Sequence, residues 1–193
     1  MSYQQHKEQS GTRVVSCAVI TCSDTRTQEN DLSGHKIIEY LGEAGHEIVH
    51  YEIVKDEPDA IRHIMRDLVK RLDVQAVILN GGTGIAKRDN TFDTVVPLLT
   101  KTLPGFGELF RMLSYEAVGA GAMLSRATAG VVLVTDLYGA VNATVVFSIP
   151  GSPNAVRNGC PALIAVLPHA VQVLCGDDEG HPTIPADSPT DET

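Results

Sequence analysis

Two kinds of apolar pattern alternate along the chain: compact β-branched runs, and longer stretches whose apolar residues return at helical spacing. Val14 to Thr21 is of the first kind and predicts a buried strand, which empties into the polar segment Cys22 to Asn30. From Asp31 the pattern turns helical, with Ile37, Ile38 and Leu41 on one face and Gly45 as a stop. Ile48 to Val54 predicts a second strand. Behind Pro58, residues Ile61, Ile64, Met65, Leu68 and Val69 recur at i, i+3, i+4, i+7 and i+8, the mark of an amphipathic helix opening on proline. Ala76 to Leu79 is a short, wholly apolar strand running directly into Asn80-Gly81-Gly82-Thr83-Gly84. A helix around Gly107 to Val118, strands near Val131 to Val134 and Thr144 to Ile149, and a last helix from Asn154 complete the pattern. Pro161 and Pro168 are expected to interrupt or bend that last helix.

Strand-helix alternation of this kind predicts an α/β domain: a mostly parallel sheet with helices on both faces, joined by right-handed crossovers. Ligands in such sheets sit at the carboxyl ends of the strands. The loops Cys22 to Asn30, Lys55 to Pro58 and Asn80 to Thr91 therefore become the candidate site. At 193 residues the chain fits one domain. Residues 1 to 12 and 176 to 193 carry few groups able to pack and are expected to be disordered, leaving 13 to 175 as the folded unit.

Composition removes several function classes. A formal net charge of -9 opposes long-range attraction to nucleic acid or an anionic membrane, so a phosphate ligand has to be caught locally. Arg26, Lys87, Arg88, Arg111 and Arg126 are the basic residues nearest the glycine-rich segments. No apolar run reaches the roughly 18 residues of a membrane helix, and the polar N-terminus does not read as a secretory signal, so a soluble, cytoplasmic protein is expected. Cys17, Cys22, Cys160 and Cys175 form no CxxC pair and are read as buried thiols, and the histidines form no helical metal pair.

The candidate chemistry centres on Gly81, Gly82, Thr83 and Gly84. Glycines after a buried strand let the backbone take positive φ and bring N–H groups close to phosphate oxygens; the alternative is a tight turn without a ligand. The third glycine of a dinucleotide fingerprint is replaced by Lys87, and the Gly-Lys-Ser/Thr of a Walker A loop is absent. Asp89 follows the loop, and Asp56 follows the second strand at the same edge of the predicted sheet. Two carboxylates there suit Mg²⁺ carrying a nucleotide's phosphates, or orientation of an attacking oxygen; alternatively, Asp56 is a helix N-cap before Pro58. Pro150, Gly151 and Ser152 offer a turn and a hydroxyl that either cradle a ligand or stop the strand. Ser125 and Arg126 pair a hydroxyl with a guanidinium, a combination suited to an oxyanion.

In this order the segments resemble the MoaB/MogA family of molybdenum-cofactor biosynthesis proteins. The stretches that carry the resemblance are Thr21-Cys22-Ser23-Asp24, Asp31-Leu32-Ser33-Gly34, Val54-Lys55-Asp56-Glu57, Gly81-Gly82-Thr83-Gly84 with Arg88-Asp89, Pro104 to Glu108, Met123 to Ala127, and Pro150 to Ala155. The resemblance implies a molybdopterin-binding α/β/α fold, assembled as trimers or, on the MoaB branch, hexamers. It implies transfer of AMP from Mg-ATP to the phosphate of molybdopterin, with release of pyrophosphate. On that pattern Asp56 and Asp89 take the metal and catalytic roles, and Gly81 to Gly84 with Arg88 hold the nucleotide phosphates. Ser125 and Arg126 meet the pterin or its phosphate, while Ser23 and Ser152 line the site. The resemblance also admits a catalytically silent molybdopterin carrier, and the same fold admits molybdate insertion or nucleotide pyrophosphatase chemistry. One departure stands out: after Arg88-Asp89 the family pattern runs Val-Thr-Pro-Glu, whereas this chain has Asn90-Thr91-Phe92-Asp93.

Overall fold

A computed structural model describes residues 13 to 175; the expectations for both terminal segments lie outside the described residues. Strands β1 (Ser16–Cys22), β2 (Glu47–Val54), β3 (Ala76–Asn80), β4 (Lys101–Thr102), β5 (Thr128–Thr135) and β6 (Val141–Ile149) form one sheet in the order β2-β1-β3-β6-β5-β4. Pairing is parallel from β2 through β1 and β3 to β6, then antiparallel across β6–β5 and β5–β4. The mostly parallel α/β architecture expected from the alternation is present. The antiparallel hairpin at its far side is an addition, because apolar alternation does not encode strand direction.

Side-chain alternation along β1 explains the three layers. Cys17 and Val19 point into one core, beneath α1 (Leu32–Glu43), α4 (Pro104–Val118) and α5 (Pro153–Cys175). Ala18 and Ile20 point into the other core, covered by α2 (Pro58–Leu68) and the short α3 (Thr91–Val95). The i, i+3, i+4 stripe of α2 is the buried one: Ile61, Ile64, Met65 and Leu68.

Two expectations are corrected. α5 runs unbroken through Pro161 and Pro168; its stripe of Val156, Cys160, Leu163, Leu167 and Val171 is buried in the first core, and that packing offsets the lost backbone bonds. By length and composition this helix is also apolar enough to cross a membrane, but here its stripe belongs to a sheet-packed core. Of the four cysteines, three are buried and Cys175 is exposed.

Topology places the loops. Chain order reverses direction at β1, since β2 lies on one side of it and β3 on the other, and such a switch point opens a crevice at the strands' carboxyl ends. Cys22 pairs with Val54, Thr21 with Asn80, and Asn80 with Ile149. The segments after β1, β2, β3 and β6 therefore leave the sheet side by side.

Candidate active site

Below the crevice lies a buried polar network. Asp31, fully buried, caps α1 by accepting from the Gly34 N–H at 3.0 Å. Its other oxygen accepts from the Thr21 hydroxyl and from the Tyr51 hydroxyl at 2.7 Å. Burial first, and the bond to Asp31 second, push the Tyr51 phenol above its ordinary value, so it stays a donor. Asn80 extends the network by donating to Thr21 Oγ1 at 2.8 Å. β1, β2 and the start of α1 are thus tied to one carboxylate, and the end of β3 joins them through Thr21.

The glycine-rich loop rests on this base. The Gly81 N–H donates to the Ile149 carbonyl at 3.0 Å, so contact with a ligand falls to the residues that follow. Gly82 takes φ 55°, and a Cβ there would collide with the Asp56 carboxylate and the Thr91 hydroxyl. Only glycine lets the backbone pass that close to the acid. The Asn80 Oδ1 and Thr83 Oγ1 atoms are buried without a hydrogen-bond partner among the described residues.

Asp56 does not cap α2; Glu57 holds that position without a side-chain bond. Its carboxylate reaches the start of α3 instead, accepting from the Asn90 N–H at 3.2 Å and the Thr91 hydroxyl at 3.0 Å. Asn90 Nδ2 also donates to the Asp56 carbonyl at 2.7 Å. Burial pushes the Asp56 acid above its ordinary value, the Thr91 and Asn90 bonds pull it down, and the charges of Asp89 and Asp24 push it up again. Asp89 accepts from the Ala86 N–H at 2.8 Å, which closes the loop on itself.

Cys22, Ser23, Asp24, Thr25, Asp56, Gly82, Arg88 and Asp89 line one cleft of about 160 Å³. Asp56 and Asp89 are therefore brought together beside Gly82. Cys22 is inert in this setting: burial pushes its thiol up to about 12, with a lowering bond from Thr91 and a raising charge from Asp56. Among the described residues no three His, Cys, Asp or Glu side chains gather into a metal cage. The carboxylates present are hard oxygen donors that suit Mg²⁺ only when water or phosphate completes its shell.

Of the remaining predicted residues, Ser23 and Arg88 line this cleft and the others do not. Ser23 Oγ accepts from the Thr25 and Arg26 N–H groups, both at 3.3 Å. Gly151 packs against the Gly81 backbone, and its carbonyl accepts from the Ser33 hydroxyl at 2.8 Å. The Ser152 hydroxyl accepts from the Ala155 N–H at 3.2 Å, the geometry of a cap for α5, with Pro150 in the turn before it. Ser125 and Arg126 line a second cleft of about 350 Å³, with Phe92, Arg111 and Thr128 among its walls. Asp24, Asn90 and Thr91 were not among the predicted site residues; Asn90 and Thr91 lie 34 and 35 positions from the acid they hold, a separation that leaves no local signal.

Fold and cleft together define an α/β protein with a carboxylate-flanked glycine loop at a sheet switch point. Residues 18–169 match the family described as "Probable molybdopterin binding domain". The chain is 49% identical over 179 residues to molybdenum cofactor biosynthesis protein B of Bacillus subtilis, covering 92% of this chain and 99% of that protein. A crystal structure of a molybdenum cofactor biosynthesis protein B superposes with TM-score 0.77 at 45% identity, over 84% of this chain and 97% of the other. The tungsten cofactor synthesizing protein MoaB from Pyrococcus furiosus superposes with TM-score 0.74 at 37% identity, over 83% and 97%. The chain belongs to the MoaB/MogA family of molybdenum cofactor biosynthesis proteins.

Proposed function

We propose that this protein acts in molybdenum cofactor biosynthesis as a cytoplasmic adenylyltransferase that moves AMP from Mg-ATP to the terminal phosphate of molybdopterin, releasing pyrophosphate. The observation that carries the reading is the convergence of Asp56 and Asp89 on Gly82 in one cleft. A bare triphosphate is repelled by the carboxylates of Asp24, Asp56 and Asp89, so a nucleotide bound here comes with a divalent cation. Asp56 and Asp89 supply the protein's oxygens to Mg²⁺, the loop from Gly82 to Gly84 faces the phosphates, and exposed Arg88 balances charge at the rim.

The acceptor enters from the side of the second cleft, where Arg111 and Ser125 suit a phosphate. An acceptor-phosphate oxygen attacks the α-phosphorus, its bond to the bridging oxygen of the β-phosphate breaks, and pyrophosphate leaves with that electron pair. Positioning and charge neutralisation supply the acceleration. The reading includes a homo-oligomer, trimer or hexamer. Leu109, Met112 and Leu113, exposed at three- and four-residue spacing on α4, support it.

Incubation with molybdopterin and Mg-ATP tests the reaction. Pyrophosphate is expected to appear only when the acceptor is present, and Asp89→Asn is expected to slow it by about 100-fold or more while molybdopterin binding persists. Binding of molybdopterin with no pyrophosphate would make the protein a carrier. Pyrophosphate made without acceptor would make it a hydrolase, and either result contradicts the transferase reading.

A further inference from the structure

Arg126 stands between the two clefts, and its guanidinium is turned toward the loop. Nη2 donates to the Gly84 carbonyl at 2.6 Å and to the Asp89 carbonyl at 3.2 Å; Nε donates to the carbonyls of Gly84 at 2.9 Å and Thr83 at 3.3 Å. Nη1 donates to both oxygens of Asp93, each at 2.8 Å. The guanidinium carbon lies 4.7 Å from the centre of the Phe92 ring, which forms a floor beneath it. Even the Arg126 N–H donates to the Thr83 carbonyl, at 3.2 Å.

We infer that Arg126 is a positioning residue which straps the Thr83–Asp89 loop in place, and that it is not a ligand of the pterin. Three of its acceptors are backbone carbonyls at the two ends of one loop, and a planar fork is the side chain able to hold several at fixed angles. All three guanidinium nitrogens already donate within the protein. A substrate phosphate at Arg126 would have to displace Asp93 from Nη1 or break the Nη2 bonds that place the Gly84 and Asp89 backbone.

The segment that departs from the family pattern serves the same strap. Phe92 and Asp93 receive the guanidinium, Thr91 and Asn90 hold Asp56, and the Asn90 amide also donates to the Arg88 carbonyl at 3.1 Å. Asn90 to Asp93 therefore binds the loop from below while Arg126 binds it from the side. Asp56 and Asp89 both owe their placement to this pair of contacts.

The kinetic half of the inference rests on the transferase reading; the structural half does not. Arg126→Lys keeps the charge and removes the fork. Amide hydrogen exchange on the free protein is expected to quicken about tenfold or more at Ala86, Asp89 and Asn90, with β3 and α5 unchanged. In the transfer assay kcat should fall about 10- to 100-fold while the KM for molybdopterin moves less than about threefold. Asp93→Asn should shift both readouts the same way by less, and it carries the comparison if Arg126→Lys loosens the whole molecule. Unchanged exchange in the loop, or a KM for molybdopterin that rises with kcat preserved, overturns the inference. Absence of transferase activity in the unaltered protein would defeat the proposed function and leave the exchange result to decide on the strap.

Discussion

Asp56 is held against its own preference. Burial, Asp89 and Asp24 all disfavour its charged form, and only the Thr91 and Asn90 bonds favour it. A folded-state acid raised above its unfolded value binds more protons in the native protein, so stability falls as pH rises from the unfolded value through the folded one. Asp56→Asn removes that loss, because an amide oxygen still accepts from Thr91. Its melting temperature should exceed the parent's at pH 7 and converge with it in acid, as both forms become uncharged; a less stable variant at pH 7 contradicts the assigned cause. Gly82→Ala tests the close approach from the backbone side. With φ at 55° and the carboxylate in the path of a Cβ, the substitution should cost roughly 1–3 kcal/mol in denaturant unfolding and weaken Mg-ATP binding. The place of Gly82 at the carboxyl end of a strand, beside a cleft, was legible from the sequence. The Asp56 contact was not, since a carboxylate ahead of Pro58 is locally indistinguishable from a cap.

At the scale of elements, periodicity identified what was long enough to repeat. The stripe of α2 and the apolar blocks of β1 and β3 are buried along their length. β4, with 2 residues, and α3, with 5, are too short to show a period, yet α3 carries the partners of Asp56. α5 shows the opposite case: two prolines mark a local break, and burial of Leu163 and Leu167 between and beside them overrides it. The hydroxyl that starts this helix can be tested directly. Ser152→Ala should cost about 1 kcal/mol through loss of the cap to Ala155 and leave transfer unaffected. A variant with unchanged stability and a raised KM would instead place Ser152 on substrate.

Across the whole molecule, the position of the cleft follows from strand order. Because β1 lies between β2 and β3, residues far apart in the chain meet at one crevice, and on the proposed function this gives a protein of net charge -9 a local site for an anion that arrives with its cation. The alternation of strands and helices was enough to expect a cleft at the carboxyl edge, where one lies. The β5–β6 hairpin was not foreseen, for its two runs look alike whichever way they pair. On the proposed function, Asp56 and Asp89 jointly hold the metal of a nucleotide whose phosphates lie against Gly82. A crystal structure with Mn²⁺ and a non-hydrolysable ATP analogue tests it most directly. The expected result is an anomalous peak between the two carboxylates with the phosphates over the glycine loop; nucleotide and metal in the Arg111 cleft, away from Asp56, would contradict it.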